Sequence, residues 1–366
     1  MTPDIRFMEL ALSLGRRGLG QVWPNPAVGC VIVRDGVIVG RGHTRRGGRP
    51  HAERVALDQA GEAARGAVAY VTLEPCAHHG QTPPCAEALI AAGIARVVVG
   101  TGDPDPRVAG RGLDMLRAAG IAVTTGVCAA QAQDANAGFL KSVTQGLPWV
   151  TLKLATTLDG RIATATGESR WITGPQARRT VHGLRANHDA VLVGAGTARA
   201  DDPALDVRDL GDVRQPVRIV VSRDLNLRVN GRLGQTAHLQ PVWIVHANDA
   251  ETRDWSSTGA TLIPCPLLHH QIDMLAALQE LARRGLTRIL CEGGSHLAAS
   301  LLHAGLVDEV VMMQAGCMIG ADGLPSMAGL GTRALGDAPR FDLIETRALG
   351  GDVLHRWRPR RSRADD

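Results

Sequence analysis

Lysine is nearly missing from this chain. Of its 40 lysine and arginine residues only two, Lys141 and Lys153, are lysine. Arginine is the background cation, so a lysine inside an apolar stretch stands out. Aromatic residues are also scarce, at 3% with a single tyrosine, Tyr70, which leaves little from which to build a platform for stacking bases. Charge of one sign is lacking too. The 40 basic residues face 36 acidic ones for a net charge of +4, interspersed until the run Arg356-Trp357-Arg358-Pro359-Arg360-Arg361. That is no nucleic-acid footprint, and none is expected as a partner. No apolar run approaches the ~18 residues that cross a bilayer, and Met1-Thr2-Pro3-Asp4 lacks the basic-then-apolar plan of an export signal. The expectation is a cytoplasmic protein with no membrane partner. Seven cysteines (Cys30, Cys76, Cys85, Cys128, Cys265, Cys291, Cys317) are an odd number thinly spread, which disfavours a disulfide framework and raises the weight of metal or catalytic roles.

What is present is a large core. With 366 residues, 45% hydrophobic and 21% charged, the chain suits two folded domains better than one. The first half alternates helix and strand: a helix over 3–18, a strand pair at 28–33 and 37–39 turning at Asp35-Gly36, then a helix at 52–64, a strand at 67–73, helix 84–92, strand 95–100, helix 110–119 and strand 121–125. This order implies an α/β fold with a mostly parallel sheet. At Gly146-Leu147-Pro148 the pattern resets, and strands are expected at 149–156, 189–194, 217–222, 242–246, 287–291 and 307–313. The longest helix expected there spans 272–284, with Ile272, Leu275, Leu278 and Leu281 on one stripe. The domains are therefore placed at 1–146 and 147–360, with 361–366 as a frayed tail.

One constellation carries chemistry. His51-Ala52-Glu53 lies at the start of a predicted helix, and Pro75-Cys76 and then Cys85 follow a predicted strand. One histidine and two thiolates are a zinc ligand set with a fourth position open, and zinc in such a site can lower the pKa of water to ~7. Glu53 is two residues from His51, close enough to move protons without being a ligand. H-x-E followed by P-C-x-x-C is the pattern of zinc deaminases of nucleobases. Here residues 77–84 separate the cysteines instead of two residues, a longer loop that zinc tolerates. The bland alternative is a buried histidine with two structural cysteines. His78 and His79 read as loop or substrate-contact residues rather than ligands.

Asn25-Pro26-Ala27-Val28-Gly29, His51-Ala52-Glu53 and the run from Thr72-Leu73-Glu74-Pro75-Cys76 to Pro83-Pro84-Cys85 closely resemble the deaminase domain of the bifunctional riboflavin-biosynthesis deaminase/reductases. The resemblance implies a cytidine-deaminase-like three-layer domain. Its reaction would be hydrolytic removal of the 2-amino group from a diaminopyrimidinone bearing a ribosylamino 5′-phosphate. It makes His51, Cys76 and Cys85 the zinc ligands, Glu53 catalytic and Asn25 a substrate contact. Two positions depart from the family pattern: Ala77 stands where serine is frequent, and Gly42-His43-Thr44 carries its histidine one place early, which leaves His43 between substrate contact and plain loop residue.

The second half gives less by itself. Glycine meets charge at predicted strand ends in Thr157-Leu158-Asp159-Gly160-Arg161, Val193-Gly194-Ala195-Gly196-Thr197, Asp201-Asp202-Pro203 and Glu292-Gly293-Gly294-Ser295, where backbone N–H groups can approach phosphate. No G-x-G-x-x-G follows a strand, so a Rossmann site is disfavoured. In order along the chain, Thr151-Leu152-Lys153-Leu154-Ala155, Ser169-Arg170-Trp171-Ile172-Thr173, Ala200-Asp201-Asp202-Pro203-Ala204-Leu205 and Glu292-Gly293-Gly294 are similar to the reductase domain of the same family. The resemblance thus spans about residues 4–357. It implies a dihydrofolate-reductase-like α/β domain, NADPH as hydride donor and reduction of the ribosyl chain to ribityl.

Carried over by position, Ala155, Trp171, Thr197, Asp201, Ser222, Gly294, Ser295, His296, Leu297, Ala298, Ala299 and Ser300 would line the NADPH site, with Arg223 beside Ser222 able to receive the 2′-phosphate. Ser169, Arg185, Leu205, Arg208 and Glu292 would contact the substrate, the arginines being suited to bidentate phosphate binding. Strand alternation puts Lys153 opposite Leu152 and Leu154, and the resemblance sets that face on the substrate, making Lys153 the second catalytic residue with Asp201 positioning it. The expected partners are a phosphorylated pyrimidine and a second copy of the chain, as a homodimer. Two rivals weigh less: a deaminase of bases in tRNA or single-stranded DNA, opposed by dispersed charge and few aromatics, and a structural-zinc nucleotide sensor, opposed by the open fourth position beside Glu53.

Overall fold

The computed structural model describes residues 2–79 and 83–360. The tail expected at 361–366 and residues 80–82 of the loop between Cys76 and Cys85 lie outside the described residues. The chain divides into two compact units, the first ending at Pro148 and the second starting at Trp149.

In the first unit, helix α1 (Pro3–Gly15) precedes a hairpin of β1 (Gly29–Arg34) and β2 (Val37–His43). Then follow α2 (Ala52–Ala60), β3 (Val68–Leu73), α3 (Cys85–Ala91), β4 (Arg96–Thr101), α4 (Arg111–Ala118), β5 (Ala122–Thr125), α5 (Ala129–Ala135) and α6 (Ala137–Gln145). The hairpin turns on Asp35 (φ 51°) and Gly36 (φ 78°), the two left-handed positions that a type I′ turn requires. Sheet order is β2-β1-β3-β4-β5, with β1 antiparallel to both neighbours and β3, β4 and β5 parallel.

Alternation along the strands builds three layers. Cys30, Ile32, Val71, Val97 and Val99 face one side and pack with Ala52, Ala56, Ala86, Leu89 and Leu116 of α2, α3 and α4. Val31, Val33, Tyr70 and Val98 face the other and pack with Phe7, Met8, Ala11, Leu12, Ala132 and Ala135 of α1 and α5. Both faces are covered, which is why the strands read as unbroken apolar runs. Two glycines set how closely α2 approaches. A Cβ at Gly40 would collide with Ala56 O and one at Gly42 with Ala52 O, so β2 can lie flat on α2 only because those positions carry no side chain.

The second unit opens with β6 (Trp149–Thr157), β7 (Arg161–Ala163), α7 (Pro175–Ala186), β8 (Ala190–Gly194), α8 (Ala195–Asp201) and β9 (Val217–Val221). It continues with α9 (Arg232–Gln235), β10 (Val242–Ala247), α10 (Arg253–Ser256), β11 (Thr261–Cys265), β12 (Leu267–Leu268), β13 (Gln271–Ile272) and α11 (Met274–Arg283). Last come β14 (Arg288–Cys291), α12 (Ser295–His303), β15 (Glu309–Ala315), β16 (Leu324–Pro325), β17 (Phe341–Leu349) and β18 (Asp352–Pro359). Nine strands form one sheet, β11-β10-β9-β8-β14-β6-β15-β18-β17. It is parallel from β11 to β15, and β18 and β17 add an antiparallel edge.

The helix expected at 272–284 is corrected by its cap. Asp273 accepts the N–H groups of Leu275 (3.0 Å) and Ala276 (3.1 Å), so it is the N-cap and the helix begins at Met274. Ile272 belongs to β13 instead, and Leu275 is 43% exposed. A stripe drawn every third residue drifts around a helix of ~3.6 residues per turn, and the buried face is Met274, Ala277, Leu278 and Leu281. No helix among the described residues is long and apolar enough to cross a membrane.

Candidate active sites

The first site is assembled from three elements. His51 is the N-cap of α2 with extended backbone, Cys76 stands three residues past β3, and Cys85 opens α3. Their ligand atoms lie within 4.8 Å of one another, the one such group among the described residues. His51 Nδ1 is 3.3 Å from Cys85 Sγ and 3.6 Å from Cys76 Sγ. A tetrahedral zinc with ~2.3 Å bonds to sulfur and ~2.0–2.1 Å bonds to nitrogen sets N···S edges near ~3.5 Å. The donor set and its spacing therefore fit zinc.

Local electrostatics already favour a thiolate. The Cys85 N–H donates to Cys76 Sγ at 3.3 Å, a backbone bond of the kind that orients metal ligands. The Cys76 thiol is drawn down to about 4, first by its hydrogen bond from the Cys85 thiol and then by His51 against the cost of burial, while Cys85 is driven upward by sharing that proton. Glu53 is 3% exposed on the first turn of α2. Burial raises its carboxyl to about 7, with the Cys76 thiolate adding to the rise and His51 opposing it.

A cleft of about 350 Å³ opens over these atoms, lined by Asn25, His51, Glu53, Cys76 and His78 together with Asp103, Asp105 and Arg107 from the loop after β4. Asn25 packs against Gly48, where a Cβ would collide with its amide. The two loop histidines diverge. His78 lines the cleft with Nδ1 buried and without a partner among the described residues, whereas exposed His79 turns to Glu87 at 3.0 Å. Thr44, rather than His43, lines the cleft.

Glu74, to which the sequence alone assigned no role, holds this loop. The Glu74 carboxylate, 5% exposed, accepts N–H groups from Asp103 (3.4 Å), Gly110 (3.1 Å), Gly112 (3.1 Å) and Leu113 (3.4 Å). Its signal was a carboxylate directly after an apolar strand, where burial demands partners. Asp103, raised to about 6 by burial, and the Asp105–Arg107 pair were missed as well.

In the second unit Thr197 follows the end of parallel strand β8, and Glu292 and Gly294 follow the end of β14, the usual ligand position of such sheets. Lys153 and Ala155 are half-buried on β6, opposite buried Leu152 and Leu154. Burial lowers the Lys153 pKa, with Glu292 and Asp201 pulling it back and Arg185 pushing the same way as burial. Glu292, just past β14, accepts Arg185 Nε at 2.6 Å and Nη2 at 2.9 Å. Burial works to raise Glu292, but Arg185 and Lys153 outweigh it and hold it below its ordinary value. The Gly294 N–H donates to Thr197 Oγ1 at 3.0 Å, tying the start of α12 to α8.

The remaining positions differ in what they expose. Trp171 is 69% exposed, with the Arg178 and Arg170 guanidinium groups 4.6 and 5.9 Å from its ring centroid. Arg170 also donates to Asp201 O at 2.8 Å. Ser169 is half-buried just before it. Leu205, Leu297, Ala298 and Ala299 point their side chains into the core, so a ligand there meets main chain. Ser295 is half-buried and His296 exposed at the start of α12, and the Ser300 hydroxyl donates to His296 O within the helix. Ser222 is buried, Arg223 donates to His270 O at 3.1 Å and pairs with Asp224 at 3.2 Å, and exposed Arg208 pairs with Asp206 at 3.4 Å.

Comparison with known proteins accounts for both units. Residues 1–101 match the cytidine and deoxycytidylate deaminase zinc-binding region, and residues 148–355 match the RibD C-terminal domain. The riboflavin biosynthesis protein RibD of Escherichia coli (strain K12) is 46% identical over 369 residues, covering 96% of this chain and 98% of that protein. Its counterpart in Haemophilus influenzae is 44% identical over 374 residues, with 98% of each covered. Among solved structures, Acinetobacter baumannii RibD (form 1) superposes with a TM-score of 0.89 at 39% identity, covering 98% of this chain and 99% of that one. A Thermotoga maritima diaminohydroxyphosphoribosylaminopyrimidine deaminase/5-amino-6-(5-phosphoribosylamino)uracil reductase gives 0.87 at 35% identity with the same coverage. The chain belongs to the RibD family of bifunctional riboflavin-biosynthesis enzymes, with a zinc-dependent deaminase domain followed by an NADPH-dependent reductase domain.

Proposed function

We propose that His51, Cys76 and Cys85 hold the zinc and that Glu53 carries protons during removal of the 2-amino group from a diaminopyrimidinone ribosylamino 5′-phosphate. The observation that carries this reading is the triangle of His51 Nδ1 and two Sγ atoms with 3.3 and 3.6 Å edges, beside a carboxylate that is 3% exposed. Zinc in that triangle supplies a Lewis acid that brings water toward ionisation at neutral pH. Glu53 takes the proton from the attacking water and delivers it to the departing nitrogen, which leaves as ammonia. Asn25, His78 and the loop held by Glu74 orient the base over the metal.

In the second unit we assign NADPH to the strand ends carrying Ala155, Thr197, Asp201 and Gly294, with the main chain at the start of α12 and the exposed face of Trp171 completing the site. The coenzyme supplies hydride to the sugar carbon. Lys153, a compact ammonium flanked by Glu292 and Asp201, donates to the sugar oxygen that gains a proton as the ring opens. Arg185, Arg208, Ser169 and Glu292 hold the rest of the substrate.

The enzyme reads as a cytosolic homodimer. All seven cysteines are free, which suits a reducing compartment. The outer strand β17 leaves Leu343 and Ile344 each 52% exposed beside an unpaired edge, a feature that chains normally cover. Light scattering at micromolar concentration should give twice the chain mass of 38.6 kDa; the mass of a single chain would reject the dimer.

Glu53→Gln should retain zinc yet lose deamination by roughly 10²-fold or more, the scale of a general acid–base group. His51→Ala should lose both metal and activity. Metal analysis beside ammonia release checks this, and equal metal loss in the two variants would refute the division of roles. Lys153→Met should fold, keep zinc and release ammonia normally, but lose reduction by roughly 10²-fold or more. Near-normal NADPH oxidation in that variant would leave Lys153 a structural residue.

A further inference from the structure

Segment 316–328 leaves β15 at Ala315 and is held at three places along its length. The first is the turn after β6, where the Leu158 N–H donates to Cys317 O at 2.7 Å and Gln314 Nε2 donates to Leu158 O at 3.1 Å. Next, β16 within the segment pairs antiparallel with β7, and the Ser326 N–H donates to Gly160 O at 3.0 Å. The last is the Ala328 N–H, which donates at 3.2 Å to the carbonyl of Ser295, the residue that opens α12 after β14. β14, β6 and β15 are neighbours in the sheet and run parallel. The segment is therefore a strap laid across the C-terminal ends of three adjacent parallel strands, the edge at which such sheets bind ligands.

One side chain organises the strap. The Asp159 carboxylate, in the turn between β6 and β7, accepts the Gly320 N–H at 2.6 Å and the Ile319 N–H at 3.3 Å, together with the Thr157 hydroxyl. Two successive main-chain N–H groups turned to one anion form a nest, and Gly320 at φ 93° takes the left-handed position in it. The Thr157 hydroxyl also accepts the Arg161 N–H at 2.9 Å, so the carboxylate is fixed to its own turn while it holds the strap. Its carboxyl is drawn down to about 2, first by that hydroxyl and then by the Gly320 N–H, and it is ionised at neutral pH. Further along, a Cβ at Gly323 would come within 2.7 Å of the Ile319 side chain and 3.1 Å of Ala163 O. The missing side chain lets the strap lie this close to β7.

We propose that Asp159 is a positioning residue of the reductase: by binding the Ile319 and Gly320 N–H groups it seats the strap, so that segment 316–328 forms one wall of the NADPH site between the end of β6 and the start of α12. The proposal rests on the assignment of NADPH to Ala155 and Gly294 above. Both stand at the strap's holds, Ala155 four residues before Asp159 and Gly294 next to the Ser295 carbonyl that takes the far end. Asp159 itself reaches neither coenzyme nor substrate. It acts through population, because a wall that is seated for only a fraction of the time weakens apparent binding by the inverse of that fraction.

The test compares the full chain with Asp159→Ala and Asp159→Asn by NADPH fluorescence titration, amide hydrogen exchange of segment 316–328 and steady-state reduction of the deaminated substrate. Loss of a hydrogen bond to a charged group corresponds to roughly 10-fold or more in an equilibrium. Amides of the strap in Asp159→Ala should exchange faster by about that factor. Its Kd and KM for NADPH should both rise roughly 10-fold, while kcat and the KM for the pyrimidine stay within about twofold and ammonia release is unchanged. Asp159→Asn, which keeps the size and one acceptor oxygen, should shift less in the same direction, and it decides the matter if the alanine variant does not fold. Unchanged exchange of the strap would overturn the proposal, as would faster exchange with unchanged NADPH affinity, or a fall in kcat with KM for NADPH unaltered. In the unsubstituted chain NADPH should slow exchange both in the strap and at residues 294–300. Slowing at 294–300 alone would also overturn the proposal, whereas no slowing at 294–300 would overturn the coenzyme assignment on which it rests.

Discussion

The first active site depends on three donor atoms from three chain segments coming within 4.8 Å of one another. Little in the site allows slack. His51 comes within reach of the two cysteines because α2 lies flat on β2, and that contact exists only because Gly40 and Gly42 have no side chains. Cys76 and Cys85 are joined by a main-chain N–H as well as by their shared proton. Glu74, two residues before Cys76, anchors the loop on the far wall of the cleft through four backbone N–H groups. A carboxylate with 5% exposure survives there because nearly every acceptor position is filled. The residue just past β3 thus also shapes one wall of the cleft.

The second unit meets a different constraint, which is how to keep a lysine inside a sheet of arginine-rich sequence. Burial disfavours the Lys153 ammonium, and Glu292 and Asp201 counter it. Glu292 in turn is held ionised by Arg185, with side-chain exposures of 10% and 13% for the pair. Removing any one of the three would leave a buried charge uncompensated, a large penalty. An arginine at 153 would bring a larger, planar fork that holds its proton too tightly to take the place of a compact ammonium. That explains why this position departs from the chain's preference.

Much of this was legible in the sequence, for reasons that particular residues make clear. The spacing of His51, Glu53, Cys76 and Cys85 carries its own chemistry, and the Asp35-Gly36 turn has a unique backbone requirement. What was not legible lacked a local signal. Helix α5 is short and alanine-rich, α6 is short and buries only Gly138, and β17 is an edge strand whose residues are mostly exposed, so none of them presents a strong apolar pattern. The offset at α11 came from a cap outweighing an apolar stripe. Leu205 and Leu297–Ala299 carry positions in the family pattern, but their side chains serve the core. His78 and His79 are adjacent in sequence and face different partners, a distinction only the folded loop makes.

Two chemistries on two independent units, only the first requiring a metal, is the claim everything else serves. It is tested most directly by stripping metal with a chelator and following both half-reactions on one preparation. Ammonia release should vanish and return with added zinc, while NADPH oxidation on already deaminated substrate continues at its original rate. Deamination that persists without metal, or reduction that falls in step with it, would contradict the account.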